Sequence, residues 1–395
     1  MHYSFSTRMQ GVHPSAIREI FKVLEDPTVI SFAAGSPSPE TFPAAQLGEL
    51  SQALFTTQYA QAFQYGISEG YGPLREQTAA RLKTKYHTGC DTDAILITSG
   101  GQQALDLSVK VLANEGDTIL CEDPSFVGAL NGIRSYGVNL QGVPMDDEGM
   151  DTDALEEILK SGGGYKLVYT IPTFQNPTGV TMSAARRRHL MALASQYDLI
   201  LLEDNPYHEL RYSGDALPTL KSMDTEGRVI YMGSYSKVIA PGIRMGYVCA
   251  HKDLIAKMTV AKQVADVHTN QFFQMLVSSY LTHCDIDEHI AQCRQLYRTK
   301  RDRMLSHEPA FGGRISFTHP DGGLFLWCRL PDGGDSDAFG RAAIARKVAI
   351  VPGSAFASVS NAVSPGFRLN FSLPATEQID AGMAVLAALS RDFAK

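Results

Sequence analysis

The feature that most narrows the fold is a set of short, almost unbroken apolar runs separated by stretches of helical spacing. They are Ala94-Ile95-Leu96-Ile97-Thr98, Asp117-Thr118-Ile119-Leu120-Cys121, Lys166-Leu167-Val168-Tyr169-Thr170, Leu199-Ile200-Leu201-Leu202-Glu203 and Val229-Ile230-Tyr231-Met232. A strand covered on one face alternates apolar and polar residues, whereas one covered on both faces does not. Helices are predicted between the runs, from about Gln102 to Ala113 and from about Ala184 to Tyr197. The alternation predicts an α/β fold with a mostly parallel sheet and helices on both faces. In such sheets ligands gather beyond the carboxyl ends of the strands. The residues just after each run are therefore where chemistry is to be sought.

One sheet does not use up the chain, because 395 residues exceed what a single core usually serves. The stretch from Asp266 to about His307 reads as one long helical region. Beyond it, Gly323–Cys328 and Phe367–Phe371 read as strands of a smaller α+β domain. The segment up to about Pro43 reads as irregular apart from a helix near Ser15–Leu24, and is expected to pack against the C-terminal domain. The expected division is a large domain over 44–280 and a small domain formed by 1–43 with 281–395.

Charge and composition exclude several classes. A net charge of −7 with no basic stripe argues against a nucleic-acid partner. No apolar run approaches the ~20 residues that span a bilayer. The start, Met1-His2-Tyr3-Ser4-Phe5-Ser6, lacks the basic region and apolar core of a secretory signal. A soluble, cytoplasmic protein without a membrane partner is expected. The six cysteines contain no C-x-x-C pair. Cys284, His289 and Cys293 alone resemble metal ligands, but their spacing spreads them around more than one helix face. Core thiols and a surface histidine are expected there, and no metal.

Chemistry concentrates in four segments. In Gly233-Ser234-Tyr235-Ser236-Lys237 a lysine sits just past a strand end, with Arg244 seven positions later. Alone, a loop lysine is a solvated cation. Ser234, Ser236 and Arg244 together suit a phosphate dianion, and a lysine beside that site can attack the aldehyde of a phosphorylated cofactor and form an imine. In Glu203-Asp204-Asn205-Pro206-Tyr207, a carboxylate at a buried strand end incurs a large desolvation cost unless it meets a cation such as a protonated pyridine nitrogen. Asp204 as a helix cap before Pro206 is the alternative. Asn176-Pro177-Thr178-Gly179 is either an ordinary turn or a means of placing the Asn176 amide on a cofactor's phenolic oxygen. Thr98-Ser99-Gly100-Gly101-Gln102 reads as strand, glycine turn and helix start, a place suited to phosphate. No Walker loop is present and no G-x-G-x-x-G occurs at this turn, so a dinucleotide fold is not supported.

Taken in order, Gly100-Gly101-Gln102, Asn176-Pro177-Thr178-Gly179, Asp204-x-x-Tyr207, Ser234-x-x-Lys237, Arg244 and Arg368 resemble the fold-type I, class I/II aminotransferases that use pyridoxal phosphate (PLP). The resemblance runs essentially end to end. Ser15–Glu19, Ser31–Pro37, Gln64-Tyr65-Gly66 and Lys262–Thr269 make it most similar to the 2-aminoadipate/kynurenine aminotransferase branch. It implies a seven-stranded-type, mostly parallel sheet and a homodimer. It further implies that Lys237 forms the imine with PLP and later serves as general base. Asp204 would face the pyridine nitrogen, with Asn176 and Tyr207 on the phenolic oxygen. Gly100, Gly101, Gln102, Ser234, Ser236 and Arg244 would surround the phosphate, Phe126 would stack on the ring, and Tyr65 would reach the neighbour's phosphate. Arg368 would bind the substrate α-carboxylate, and Gly35 would line the substrate. Two departures stand out: glycine at 101, where relatives commonly carry serine, and phenylalanine at 126, where this branch often has tyrosine.

The implied reaction moves an amino group between an L-amino acid and a 2-oxo acid such as 2-oxoglutarate, in a ping-pong cycle through Lys237. A broad donor range is expected, covering glutamate or 2-aminoadipate as well as aromatic and aliphatic amino acids. A PLP lyase or decarboxylase would use the same residues. Ser234-x-x-Lys237 formally matches a serine acylase, but S-D-N and K-T-G are absent. A non-catalytic PLP or amino-acid sensor would carry a basic DNA-binding segment ahead of Arg18, and none is seen. Arg18 itself either faces solvent beside Glu19 or Glu25 or meets a second substrate carboxylate. If it does the latter, Arg18→Ala should lower kcat/KM for glutamate about tenfold or more relative to leucine. An unchanged ratio in a two-substrate assay would refute the inward orientation.

Overall fold

The computed structural model describes residues 3–10, 26–91, 93–359 and 362–393. The strands in chain order are β1 (Ile30–Ser31), β2 (Asp93–Thr98), β3 (Thr118–Asp123), β4 (Asn139–Asp146), β5 (Gly149–Met150), β6 (Leu167–Thr170), β7 (Ile200–Asp204), β8 (Val229–Ser234), β9 (Gly246–His251), β10 (Ser316–Phe317), β11 (Phe325–Arg329), β12 (Val348–Ala349), β13 (Val351–Pro352) and β14 (Gly366–Asn370).

The large sheet runs β2-β9-β8-β7-β6-β3-β4-β5. From β8 to β4 every neighbouring pair is parallel. β9 lies antiparallel between β2 and β8, and the two-residue β5 closes a hairpin on β4. The continuous apolar runs have their expected cause. Leu120, Val168 and Leu201 enter one core, while Cys121, Leu167 and Leu202 enter the core on the opposite face. Each strand thus buries both sets of its alternating side chains. Helices Gly101–Leu112 and Ala184–Gln196 fall within a residue or so of expectation.

Three strands of the large sheet escape a search for apolar runs, and β5 does so because it is only two residues long. β4 is an outer strand with several exposed or half-exposed positions, so its sequence reads as mixed. β9 begins two residues after Arg244, inside the segment that reads first as chemistry. The long helical region expected over Asp266–His307 consists of two helices, Gln271–His283 and Ile286–Leu305. Asn270 and Asp285 each accept backbone N–H groups at a new helix start, and Val267 holds a left-handed φ of 67° that no continuous helix tolerates.

A four-stranded antiparallel sheet, β10-β11-β14-β13, forms the C-terminal part. The N-terminal segment packs against this part as expected. β1 pairs in parallel with β12, and the carbonyl of Phe32 accepts from the Asn370 N–H at 2.7 Å. The helix expected near Ser15–Leu24 lies outside the described residues. Among the described residues, no helix is long and apolar enough to cross a membrane.

One contact joins this scaffold to the turn after β2. A Cβ on Gly246, the first residue of β9, would lie 2.7 Å from the Gly100 carbonyl carbon and 2.9 Å from the Gly101 nitrogen. Both are backbone atoms, so nothing flexible can give way. Gly246→Ala should therefore cost about 1–3 kcal/mol of stability, read as a lowered midpoint in urea denaturation. An unchanged midpoint would show that the turn has slack.

Candidate active site

A cavity of about 360 Å³ opens at the carboxyl ends of β6, β7 and β8, beside the start of helix Gly101–Leu112. Gly35, Gly101, Gln102, Phe126, Asn176, Asp204, Tyr207, Ser234, Ser236, Lys237, Arg244 and Arg368 all line it. They come from strands and loops that are far apart in the chain. The parallel register of β3, β6, β7 and β8 brings together the loops that follow these strands, while Arg368 is supplied by β14 of the antiparallel sheet.

Lys237 follows β8, and its Nζ donates to the Gly35 carbonyl at 2.8 Å. Burial, then the Arg368 and Arg244 charges, push its pKa down to about 8, with Asp204 opposing. At pH 7 roughly one Lys237 in ten is then a free amine, against about one in 3,000 for an ordinary lysine. Asp204 ends β7, and its Oδ2 accepts from the Tyr169 hydroxyl at 2.7 Å. Burial raises its pKa to about 6, while the Tyr169 bond and the Lys237 charge pull it down. The amine and the acid therefore titrate close to neutrality, both displaced mainly by loss of water.

Arg368, on β14, is 1% exposed. It donates to Asn176 Oδ1 at 2.9 Å and to the Ala33 carbonyl at 2.7 Å, and its Nε has no partner. Its guanidinium carbon lies 4.2 Å from the centre of the Phe325 ring and 5.1 Å from that of Phe356. Burial lowers its pKa to about 10. Among the described residues only neutral groups hold this cation, an arrangement that a ligand carboxylate completes. The Asn176 amide in turn donates to the Tyr207 hydroxyl at 3.4 Å.

At the other end of the cavity, Arg244 has a left-handed φ of 51° and donates to the Ser99 and Pro241 carbonyls, each at 3.3 Å. The guanidinium lies so close over Gly100, itself at φ 83°, that a Cβ there would collide with it. Ser234 Oγ accepts the Ser236 N–H at 3.1 Å. Gln102 donates to the Gly128 carbonyl at 2.9 Å. Helix Gly101–Leu112 begins with no side-chain cap and no acid in its first turn, so its N–H groups and dipole face the cavity uncompensated.

These groups fit pyridoxal phosphate. Anion donors stand at one end, the amine and the buried acid both line the space between, and an arginine waits for a carboxylate. Tyr65 is not among them. It is 81% exposed, with its ring edge-on to His268 at 5.7 Å, and it lines a different cavity. Arg18 lies outside the described residues.

Two contributors escaped the sequence reading. Tyr169 holds Asp204, and the signal was present: a phenol inside a buried aliphatic strand needs a partner for its hydroxyl. Glu122 accepts from Thr170 Oγ1, the Ile171 N–H and Gln175 Nε2, and so ties the end of β3 to the loop carrying Asn176. The apolar run ends at Cys121, but β3 continues to Asp123 and so includes Glu122.

A family model described as "Aminotransferase class I and II" matches residues 27–386. The chain is 44% identical over 388 residues to Aromatic-amino-acid aminotransferase 1 of Thermococcus litoralis, covering 97% of this chain and 93% of that relative. Among solved structures it is similar to a kynurenine aminotransferase of Pyrococcus horikoshii in complex with PMP. The TM-score is 0.94 at 40% identity, over 98% of this chain and 97% of that one. It is also similar to LysN, an α-aminoadipate aminotransferase from Thermus thermophilus complexed with N-(5'-phosphopyridoxyl)-L-leucine. Here the TM-score is 0.90 at 35% identity, again over 98% and 97% of the two chains.

The Tyr169 bond favours the ionised form of Asp204, so removing it should raise the acid's pKa above about 6. Carbon-13 NMR titration of labelled aspartate in the apoprotein would register the upward shift in Tyr169→Phe. A titration curve identical to that of the parent protein would rule the bond out as a determinant.

Proposed function

The chain belongs to the class I and II aminotransferases and is a PLP-dependent transaminase with the fold-type I architecture, and on that premise we propose how its own residues divide the work. Bound PLP supplies an aldehyde that captures amines and a ring that withdraws electrons from the substrate Cα. Lys237 Nζ would hold the cofactor and, as a free amine, would be the base that takes up and returns the substrate Cα proton. A pKa displaced toward neutrality suits that alternation between proton acceptor and donor. Asp204, oriented by Tyr169, keeps the proton on the pyridine nitrogen.

The remaining residues bind and orient. Asn176 and Tyr207 hold the phenolic oxygen, and Phe126 stacks on the ring. Gln102, Ser234, Ser236, Arg244 and the backbone of Gly100 and Gly101 take the phosphate. Arg368 takes the substrate α-carboxylate as a bidentate fork, and Gly35 borders the substrate. The proposal includes the division into 44–280 and 1–43 with 281–395, since Arg368 from the second part meets Asn176 of the first. It also includes a homodimer, in which the exposed Tyr65 reaches the neighbour's phosphate.

For substrates we favour a broad set of L-amino acids, with glutamate and 2-oxoglutarate as one pair. The aromatic, kynurenine and aminoadipate names of the similar proteins support that breadth. They also weigh against a lyase or a decarboxylase built on the same residues. The observation that carries the proposal is that one cavity is lined by a free-amine-prone lysine, a buried acid and an arginine without a carboxylate.

Holoenzyme mixed with glutamate and no acceptor should release about one equivalent of 2-oxoglutarate per subunit and then stop. Adding a second 2-oxo acid should restart it. Asp204→Ala should still bind cofactor but turn over at least about 100-fold more slowly. Continuous ammonia or carbon dioxide release without an acceptor would identify a lyase or a decarboxylase instead.

A further inference from the structure

A second cavity, of about 720 Å³, lies outside the catalytic one. The two share a turn. Asp204, Pro206 and Tyr207 line the catalytic cavity, while Asn205 and His208, interleaved with them, line the second. Thr173, three residues before Asn176, also borders it.

Its lining carries three fixed cations, Lys85, Arg211 and Arg294, against the single carboxylate of Asp215. Lys85 is paired with Asp287. Arg211 donates only to the Ser213 carbonyl, at 3.3 Å, and rests 4.7 Å from the centre of the Phe174 ring. Arg294 donates only to the Glu209 carbonyl, at 2.6 Å. Among the described residues, neither guanidinium has a carboxylate within ion-pair distance. Burial holds the pKa of Arg211 below its ordinary value, Asp321 and Asp215 oppose this, and the nearby Arg294 adds to it. Two further lining residues carry buried polar atoms without a hydrogen-bond partner, Asn205 Oδ1 and His208 Nε2. The Asn205 amide nitrogen is committed to Glu203 at 3.4 Å, which fixes the oxygen as the open side.

Two neighbouring guanidiniums without an ion-pair partner among the described residues, in a lining whose one carboxylate is outnumbered by three cations, are what a compact anion with two acidic oxygens satisfies. We infer that this cavity is a second ligand site, which takes a small dianion (a phosphate monoester or a dicarboxylate) between Arg211 and Arg294. It stands apart from the substrate site, because Arg368 lines only the catalytic cavity of the two.

Isothermal titration calorimetry on holoenzyme saturated with PLP tests the site, with inorganic phosphate and succinate as separate probes. At least one probe should bind once per subunit, and Arg211→Gln or Arg294→Gln should weaken it at least tenfold. Tighter binding of phosphate assigns the site to phosphate monoesters, and tighter binding of succinate assigns it to dicarboxylates. Ala216→Glu places a carboxylate at the exposed edge of the same cavity and keeps both arginines. It should abolish binding with an unchanged melting temperature, which separates loss of the site from loss of the fold. The inference is overturned if neither probe binds below about 10 mM, if the arginine variants bind as the parent does, or if only Arg368→Gln removes binding.

Discussion

The site depends on the burial of two opposite charges at the ends of neighbouring strands. Asp204 closes β7 and Lys237 follows β8, and each loses water without gaining an ion-pair partner among the described residues. The loss drives the acid up to about 6 and the amine down to about 8. A direct salt bridge would have pushed the two values apart, fixing both groups in their charged forms. Unpaired in the lining of one cavity, they stay within reach of neutrality, and a ligand with a basic ring and an electrophilic carbon resolves both.

Everything around this pair restrains it. Tyr169 takes one oxygen of Asp204 and thereby sets the direction of the other. Glu122, a buried acid met by three donors, ties β3 to the loop of Asn176, and Asn176 in turn holds Arg368. At the opposite end, the glycine contact between β9 and the turn after β2 presses the uncapped helix start against Arg244. Polar networks of this sort are costly if half satisfied. Here Arg368 keeps one open donor, its Nε, on a side chain that lines the cavity, where a ligand can meet it.

Much of this was legible in the residues. The apolar runs announced buried parallel strands because covering both faces removes alternation, and the helix start near Gln102 followed from the glycine turn before it. The residues now lining the catalytic cavity were found one motif at a time, since a phosphate, a ring nitrogen and a carboxylate each demand a particular side chain. Strand β4 was not legible, because an outer strand keeps polar positions. The break between helices Gln271–His283 and Ile286–Leu305 was hidden by favourable helical composition on both sides. Glu122 was hidden by a strand end misplaced by two residues.

Sequence alone determined the chemical kinds present and their order: an amine, an acid and donors for an anion at or after strand ends or in a glycine turn, and an arginine within a C-terminal strand. Backbone geometry and desolvation follow from local composition, so such features can be read one segment at a time. Tertiary structure alone decided that Arg368 reaches Asn176 across 192 residues, that Tyr169 rather than a cation meets Asp204, and that Arg211 and Arg294 share a cavity with a single carboxylate, Asp215, in its lining. Those facts depend on strand order and on distances through space, and the register of a sheet leaves no trace in any single stretch of chain.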